Sequence, residues 1–148
     1  MKHINIYIKL IVTSLLITLA ICNGNAQSVK LMLSGIRNNA GMIKLTIYNN
    51  EESYKKEVPD LIKDVAKDSL ENGNLTFRLD NLCCGIWGIV AIDDENENGK
   101  LDRKFFIPKE GFGFSNYTFS KHCKPEFGEF SFPVTEGENI IIVKMFYF

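Results

Sequence analysis

Short runs of alternating apolar and polar residues constrain the fold of this chain more than any other feature. A period of two is typical of strands that bury one face and expose the other. The pattern occurs at 29–33, 42–48 and 75–79, whereas 85–92 is almost wholly apolar. A continuous apolar run predicts a central strand that is covered on both faces.

The remaining pattern predicts how these strands are arranged. A glycine-containing turn, 35–41, joins the first two strands, which we expect to pair antiparallel. A short amphipathic helix, interrupted near Pro59, is predicted at 53–67, and two more strands are predicted at 127–134 and 140–148. About six strands without repeated helices predict an all-β fold, an antiparallel β-sandwich of the immunoglobulin-like or prealbumin-like type.

One long segment, 95–126, lacks a regular pattern and is rich in glycine, proline and aromatic residues. Loops of this length are usually functional or disordered, and the aromatic content favours order. Phe112 and Phe114 are expected to pack into the core, because glycines flank them. Tyr117 and Phe119 continue the alternation, and an aromatic row of this kind could also contact a glycan or a protein partner.

The first 26 residues have the layout of a secretory signal peptide. Two lysines precede a short apolar run, and small residues end at Ala26. We therefore expect a signal peptide at 1–26 and a single domain at 27–148, periplasmic or extracellular and without a transmembrane span. The alternative is a lipid anchor on Cys22, although the bulky Ile21 stands where a small residue is usual.

The charge balance and the histidine count argue against several classes of function. The chain has 17 Lys and Arg against 18 Asp and Glu, a formal net charge of -1. Nucleic-acid binding is not expected, because a surface that tracks phosphates needs an excess of basic side chains. With only His3 and His122, a histidine-based metal site or catalytic triad is not expected either.

The sharpest functional motif is an acidic stretch directly after the apolar strand. Oxygen-bearing residues recur there at alternate positions before and after a glycine, as in calcium-binding loops. We therefore predict calcium as a cofactor. The candidate ligands are Asp94, Asn96, Asn98, Asp102 and the main-chain carbonyl of Lys100.

This motif departs from a complete calcium loop, and two other interpretations stay open. Phe105 occupies the twelfth position, where a bidentate carboxylate is usual, and Asp93 or Glu110 could replace it only from outside the loop. The stretch could instead be a turn that binds its own backbone. Alternatively, the carboxylates from Asp94 to Glu110 could serve a hydrolase acting on glycans or esters.

Two motifs in this region resemble a known family. The stretch D-E-N-E-N-G-K-L-D at 94–102 is followed by P-K-E-G-F-G-F-S-N at 108–116 and by P-E-F at 125–127. This order is similar to that of the domain of unknown function 2141 family, small exported bacterial proteins without an established activity. The chain departs from the family at Cys83–Cys84, where a Pro-Ala-like pair is common, and at Asp93, where histidine is frequent.

Export would also determine whether the cysteines form a disulfide. The mature domain has three of them, Cys83, Cys84 and Cys123. An oxidising compartment favours a disulfide between Cys123 and one of the adjacent two, and the alternative is three buried free thiols. The sequence as a whole predicts a non-enzymatic binding or structural module for an unknown protein or glycan ligand, with the hydrolase as the alternative.

Overall fold

A computed structural model describes residues 27–80, 82–105, 107–119 and 123–148. The expected signal peptide at 1–26, its Cys22 and the distant His122 lie outside these ranges. Within them, no helix has the length and apolar character needed to cross a membrane.

The described chain is built mainly from strands. Their bounds, with those of two short helices, are β1 Ser28–Ser34, β2 Met42–Tyr48, α1 Glu51–Lys55, β3 Leu61–Ala66, β4 Asn74–Asp80, β5 Gly85–Asp94, β6 Arg103–Lys104, β7 Ile107–Pro108, β8 Phe112–Phe114, α2 Phe127–Phe130, β9 Phe132–Val134 and β10 Glu138–Lys144.

The strands form a sandwich, which confirms the predicted all-β fold. The first sheet has the order β10-β1-β4 and the second has the order β3-β2-β5-β8, with β9 pairing the first part of β5. Strands β6 and β7 form a separate two-stranded arm. All pairs are antiparallel except β1 with β10. Hydrogen bonds from Phe112 N to Phe146 O (3.0 Å) and from Asn116 N to Ile142 O (2.7 Å) join the sheets along one side.

Strand β5 is covered on both faces, as its apolar composition predicts. Aliphatic side chains fill the space between the two sheets, and Ile89 and Ala91 of β5 are fully buried there. Aromatic side chains cover the other face of the second sheet. This second cluster consists of Tyr48, Tyr54, Phe112, Phe114, Phe127 and Phe130.

The predicted pairing of the first two strands is wrong. β1 and β2 lie in different sheets, because β4 and β10 occupy both edges of β1. The connection at 35–41 therefore crosses from one sheet to the other. It is fixed at its start by a hydrogen bond from Ile36 N to Gly73 O (3.0 Å).

Two segments have a different secondary structure from the one predicted. The helix expected at 53–67 is limited to Glu51–Lys55, and Leu61–Ala66 is an exposed edge strand paired with β2. Pro59 separates the two because it cannot continue a helix. At 127–134, Phe127–Phe130 form a helical turn with a capping box between Glu126 and Glu129, and only Phe132–Val134 is a strand.

The last strand also has different bounds from the predicted 140–148. It runs from Glu138 to Lys144, and the aromatic residues after it pack against β8 instead of continuing the ladder.

Candidate functional site

The acidic loop, residues 94–102, begins at the last residue of β5 and folds back on the side chain of Asp94. The two oxygens of that carboxylate accept hydrogen bonds from the main-chain N–H groups of Asn98 (3.0 Å) and Gly99 (2.7 Å). Asp94 is only 2% exposed, so these donors compensate a buried charge.

The other side-chain ligands predicted for calcium meet at the far end of the loop. The side-chain amides of Asn96 (2.8 Å) and Asn98 (3.0 Å) donate to the two oxygens of Asp102. These hydrogen bonds, first that from Asn98, hold the pKa of Asp102 below its usual value. For Lys100, the structure shows its N–H donating to the Asn98 side-chain oxygen (2.8 Å).

Glu110 fastens both ends of the acidic loop. Its side chain is buried, and its oxygens accept from Glu95 N (3.1 Å) and Asp102 N (3.0 Å). A further hydrogen bond runs from Lys109 N to Asp102 O (2.8 Å). Glu110, which the sequence suggested as a calcium ligand from outside the loop, therefore accepts hydrogen bonds from the main chain of the loop.

The acidic loop fits a hard cation in its donor types. Asp94 and Asp102 supply carboxylates, and Asn96 and Asn98 supply amide oxygens, which are the ligands that calcium prefers. Both amide nitrogens face Asp102, and the amide oxygens accept from the main-chain N–H groups of Asn98 (3.1 Å) and Lys100 (2.8 Å), so a bound ion would have to replace these internal hydrogen bonds. Among the described residues, no three His, Cys, Asp or Glu side chains cluster as a metal site, so the loop would depend on amide and main-chain oxygens.

Asp93, the neighbour of Asp94, lies on the opposite face of β5. It is fully buried and forms an ion pair with the ammonium of Lys67, whose side chain is 1% exposed. The Tyr147 hydroxyl donates to its other oxygen (2.5 Å). Burial, followed by this hydrogen bond, raises the pKa of Tyr147. Asp93 therefore belongs to the edge of the inter-sheet core.

Arg37, in the segment 35–41 that crosses between the sheets, forms hydrogen bonds to the acidic loop. The sequence did not predict this contact. The Arg37 guanidinium makes two hydrogen bonds to the Glu95 carboxylate (2.6 and 2.7 Å) and one to Lys109 O (3.0 Å). The first of these contacts is the main cause of the lowered pKa of Glu95. Arg37 and Glu95 lie 58 positions apart, so no local spacing could have indicated the pair.

A cavity of about 470 Å³ opens on the aromatic face of the second sheet, and we call it the aromatic pocket. Thr46, Val90 and Ile92 of β2 and β5 form its floor. Its aromatic walls are Tyr48, Tyr54, Phe112, Phe114, Phe119 and Phe148, and its remaining lining residues are Glu57, Leu101, Arg103, Pro108, Cys123 and Lys124.

The predicted packing of Phe112 and Phe114 is confirmed, although the place is different. Both are buried, at 7% and 5% exposure, but in the aromatic cluster instead of between the sheets. Tyr117 and Phe119 are half-buried against the same cluster. The sequence pattern of the long segment thus predicted that these rings are buried, but it did not predict the cavity that they line.

Charged residues surround the mouth of the aromatic pocket. Lys124 donates to Glu57 (2.8 Å), which lowers the pKa of that carboxyl, and its ammonium lies 4.3 Å from the ring centre of Tyr54. Arg103 is exposed on β6, and no carboxylate in the described ranges forms an ion pair with it.

The three cysteines are exposed free thiols, so the alternative of buried thiols is wrong. Cys123 lines the aromatic pocket, whereas Cys83 and Cys84 precede β5. The Cys83 carbonyl accepts from the Trp87 indole N–H (2.9 Å). A disulfide between Cys123 and one of the other two stays a prediction.

Comparison with known proteins gives one result. No curated protein and no solved structure matches the chain. A family model matches residues 31–142, most of the chain, and the two hallmark motifs lie within that range. The chain therefore belongs to the family of uncharacterized proteins conserved in bacteria called DUF2141.

Proposed function

We propose that this protein is an exported, non-enzymatic binding module whose ligand occupies the aromatic pocket. The observation that carries the proposal is an open cavity lined by aromatic side chains on one face of a sheet whose other face is closed by the core. Ligand pockets typically have volumes of about 300–1,000 Å³ and mostly apolar linings with a few polar groups. This pocket meets both criteria.

We further propose that the acidic loop binds one calcium ion and thereby stiffens the wall of the pocket. The wall residues Leu101, Arg103 and Pro108 lie at the end of the loop or just after it. Glu110 holds Asp102 from the other side, next to β8. An ion in the loop would therefore limit the motion of the segment that borders the ligand.

The engagement of the two buried carboxylates, Asp94 and Glu110, supports a binding role over the hydrolase alternative. A general acid or base must reach its substrate. The oxygens of Asp94 and Glu110 accept main-chain hydrogen bonds, and Asp93 pairs with Lys67. Turnover on ester or glycan panels that is lost in Glu110→Gln, with the fold intact, would favour the hydrolase instead.

Pocket binding can be tested with the neutral fluorescent probe N-phenyl-1-naphthylamine. We expect saturable binding with one site, because the probe matches the apolar lining. Val90→Trp should abolish it by filling the floor of the pocket. The matched control is Thr76→Trp, an exposed position on the outer face of the first sheet. Equal binding by both folded variants would contradict the proposal.

Calcium binding can be tested by calorimetric titration and thermal melting. We expect a dissociation constant on the order of 0.1–1 mM, since no twelfth-position carboxylate completes the loop. Calcium at about 10 mM should then stabilise the fold by about 1.4–2.7 kcal/mol. Asp94→Ala should remove this response, whereas Glu97→Ala, at an exposed position between ligands, should retain it.

If titration shows no heat at millimolar calcium, and Asp94→Ala melts with the same difference between calcium and chelator as the parent, the loop is a self-bonded turn. Pocket binding would be unaffected by that result, so the two parts of the proposal can fail separately.

A further inference from the structure

We propose that the ligand of the aromatic pocket is an amphipathic carboxylate, with its apolar body among the rings and its carboxylate on Arg103. This inference rests on the proposed function, because it assigns a chemical class to the ligand of the same pocket. It is carried by two features, the mostly hydrocarbon interior of the pocket and the arginine without an ion pair at its mouth.

The interior of the pocket suits an apolar body. The Tyr54 hydroxyl donates to Pro125 O (2.9 Å), and the Thr46 hydroxyl lies 3.5 Å from Val90 O. The floor residues Val90 and Ile92 add only hydrocarbon. The Thr46, Tyr48 and Cys123 side chains are few hydrogen-bonding groups for a cavity of this size, so a ligand rich in hydroxyl groups, such as a sugar, would lose more hydrogen bonds to water than the interior returns.

Among the charged side chains that line the mouth in the described ranges, Arg103 is the one without an ion pair. Lys124 and Glu57 compensate each other through their ion pair (2.8 Å). Arg103 is exposed and has no carboxylate partner in the described ranges, although it lies near enough to contribute to the lowered pKa of Glu57. A ligand with a single anionic group could therefore pair with Arg103.

The chemistry and position of Arg103 favour a planar anion. A guanidinium can make two parallel hydrogen bonds to a carboxylate, and such pairs are stronger than neutral hydrogen bonds. Arg103 follows Asp102, whose N–H is held by Glu110 (3.0 Å), and it pairs with Pro108 in the β6–β7 arm. Its main chain is thus held in place at the pocket wall.

The test uses three ligands that share one alkyl chain and differ in the head group: decanoate, decanol and decyltrimethylammonium. Each is titrated against the mature protein loaded with N-phenyl-1-naphthylamine, and each is also measured by calorimetry. We expect decanoate to displace the probe at a concentration about tenfold or more below decanol, since a charge-assisted hydrogen bond contributes about 1.5–3 kcal/mol. The cationic ligand should be the weakest.

Variants separate the role of Arg103 from general charge effects. Arg103→Gln should weaken decanoate about tenfold and leave decanol unchanged, and Arg103→Lys should retain most of the preference. The matched control, Arg78→Gln, removes an exposed arginine from the outer face of the first sheet and should change neither ligand. Melting curves verify that each variant is folded.

The outcomes distinguish failure of the carboxylate assignment from failure of the binding function on which it rests. Equal displacement by decanoate and decanol, or a preference for decyltrimethylammonium, would overturn the carboxylate assignment while pocket binding stands. An unchanged decanoate affinity in Arg103→Gln would overturn it as well. If neither the probe nor any of the three ligands binds, the proposed binding function itself fails.

Discussion

The two faces of the second sheet are formed by the same strands but are covered in different ways. On the face toward the first sheet, Leu45, Ile89 and Ala91 are fully buried among aliphatic neighbours. On the other face, the adjacent residues Thr46 and Val90 are only half-buried and form the floor of a cavity. Packing against a second sheet closes a surface, whereas cover by aromatic rings from loops and short helices leaves room for a ligand.

The same contrast continues at the end of β5. Asp93 faces the core, where it is compensated by the ammonium of Lys67. Asp94 faces the other side and is compensated by main-chain donors of the acidic loop. One carboxylate is thus part of a buried ion pair, and its neighbour organises a loop beside the pocket.

The largest expected effect is at the buried ion pair. Lys67→Met leaves Asp93 buried with only the Tyr147 hydroxyl as a side-chain partner, which should lower the free energy of unfolding by about 3–5 kcal/mol. Urea denaturation measures the loss, and the double variant Lys67→Met/Asp93→Asn should recover part of it. A loss below about 1 kcal/mol in the single variant would show that the core face does not depend on this pair.

A paired substitution compares the two faces at adjacent positions of β2. Leu45→Ala should cost about 2–5 kcal/mol of unfolding free energy, because it opens a cavity in the closed core. Thr46→Ala, on the pocket floor, should cost less than about 1 kcal/mol, since its hydroxyl has only a long hydrogen bond (3.5 Å). Equal losses of unfolding free energy for the two variants in denaturant melts would show that the two faces are packed equally tightly.

Glycine substitutions probe how tightly the aromatic face packs beyond the pocket. A Cβ at Gly88 would lie 2.6 Å from Phe130 Cε2 and 2.8 Å from Phe127 Cε2. Gly88→Ala should therefore destabilise the fold by about 1–3 kcal/mol. At Gly128 in α2 a Cβ would meet nothing within 4 Å, so Gly128→Ala should be neutral or stabilise by up to about 1 kcal/mol. Thermal melting of both variants tests the difference.

The smallest expected effect appears only at alkaline pH. The raised pKa of Tyr147 means that the folded state holds the phenolic proton more tightly than the unfolded chain, whose tyrosines titrate near about 10. Its contribution to stability is complete below that pH and is lost as the pH rises through the folded value. Tyr147→Phe should therefore flatten the fall in unfolding free energy above pH 10.

Some slope should remain in that variant, because burial also raises the pKa of Tyr54. Denaturant melts at a series of pH values compare the parent with Tyr147→Phe. An identical slope in the two proteins would show that Tyr147 is not the titrating group.

The sequence predicted the strands well but not their partners. Alternation at 29–33 and 42–48 reports which side chains face the core, because the side-chain period of a strand is two. It contains no information on which strand lies beside which, so the parallel pairing of β1 with β10 could not be predicted. Between 53 and 67, the spacing of apolar residues resembled that of a helix, although the helix ends at Lys55 and Leu61–Ala66 is an exposed edge strand.

For the candidate site, local spacing indicated the acidic loop but not the groups that hold it. Asp94, Asn96, Asn98 and Asp102 are near one another in sequence, and the structure brings them into one hydrogen-bonded loop. Arg37 reaches the loop from a distant segment. The aromatic pocket combines side chains from β2, β5, β8 and several loops, so its existence follows from the tertiary fold alone.

The central claim is that a ligand enters the aromatic face of the second sheet and not the aliphatic face. Methyl-resolved NMR with labelled Ala, Val and Ile can follow both faces of β5 during titration with N-phenyl-1-naphthylamine. We predict that the methyl signals of Val90 and Ile92 shift with saturation while those of Ile89 and Ala91 stay in place. Equal shifts on both faces, or shifts confined to the exposed Ile140 and Ile142 of β10, would contradict the account.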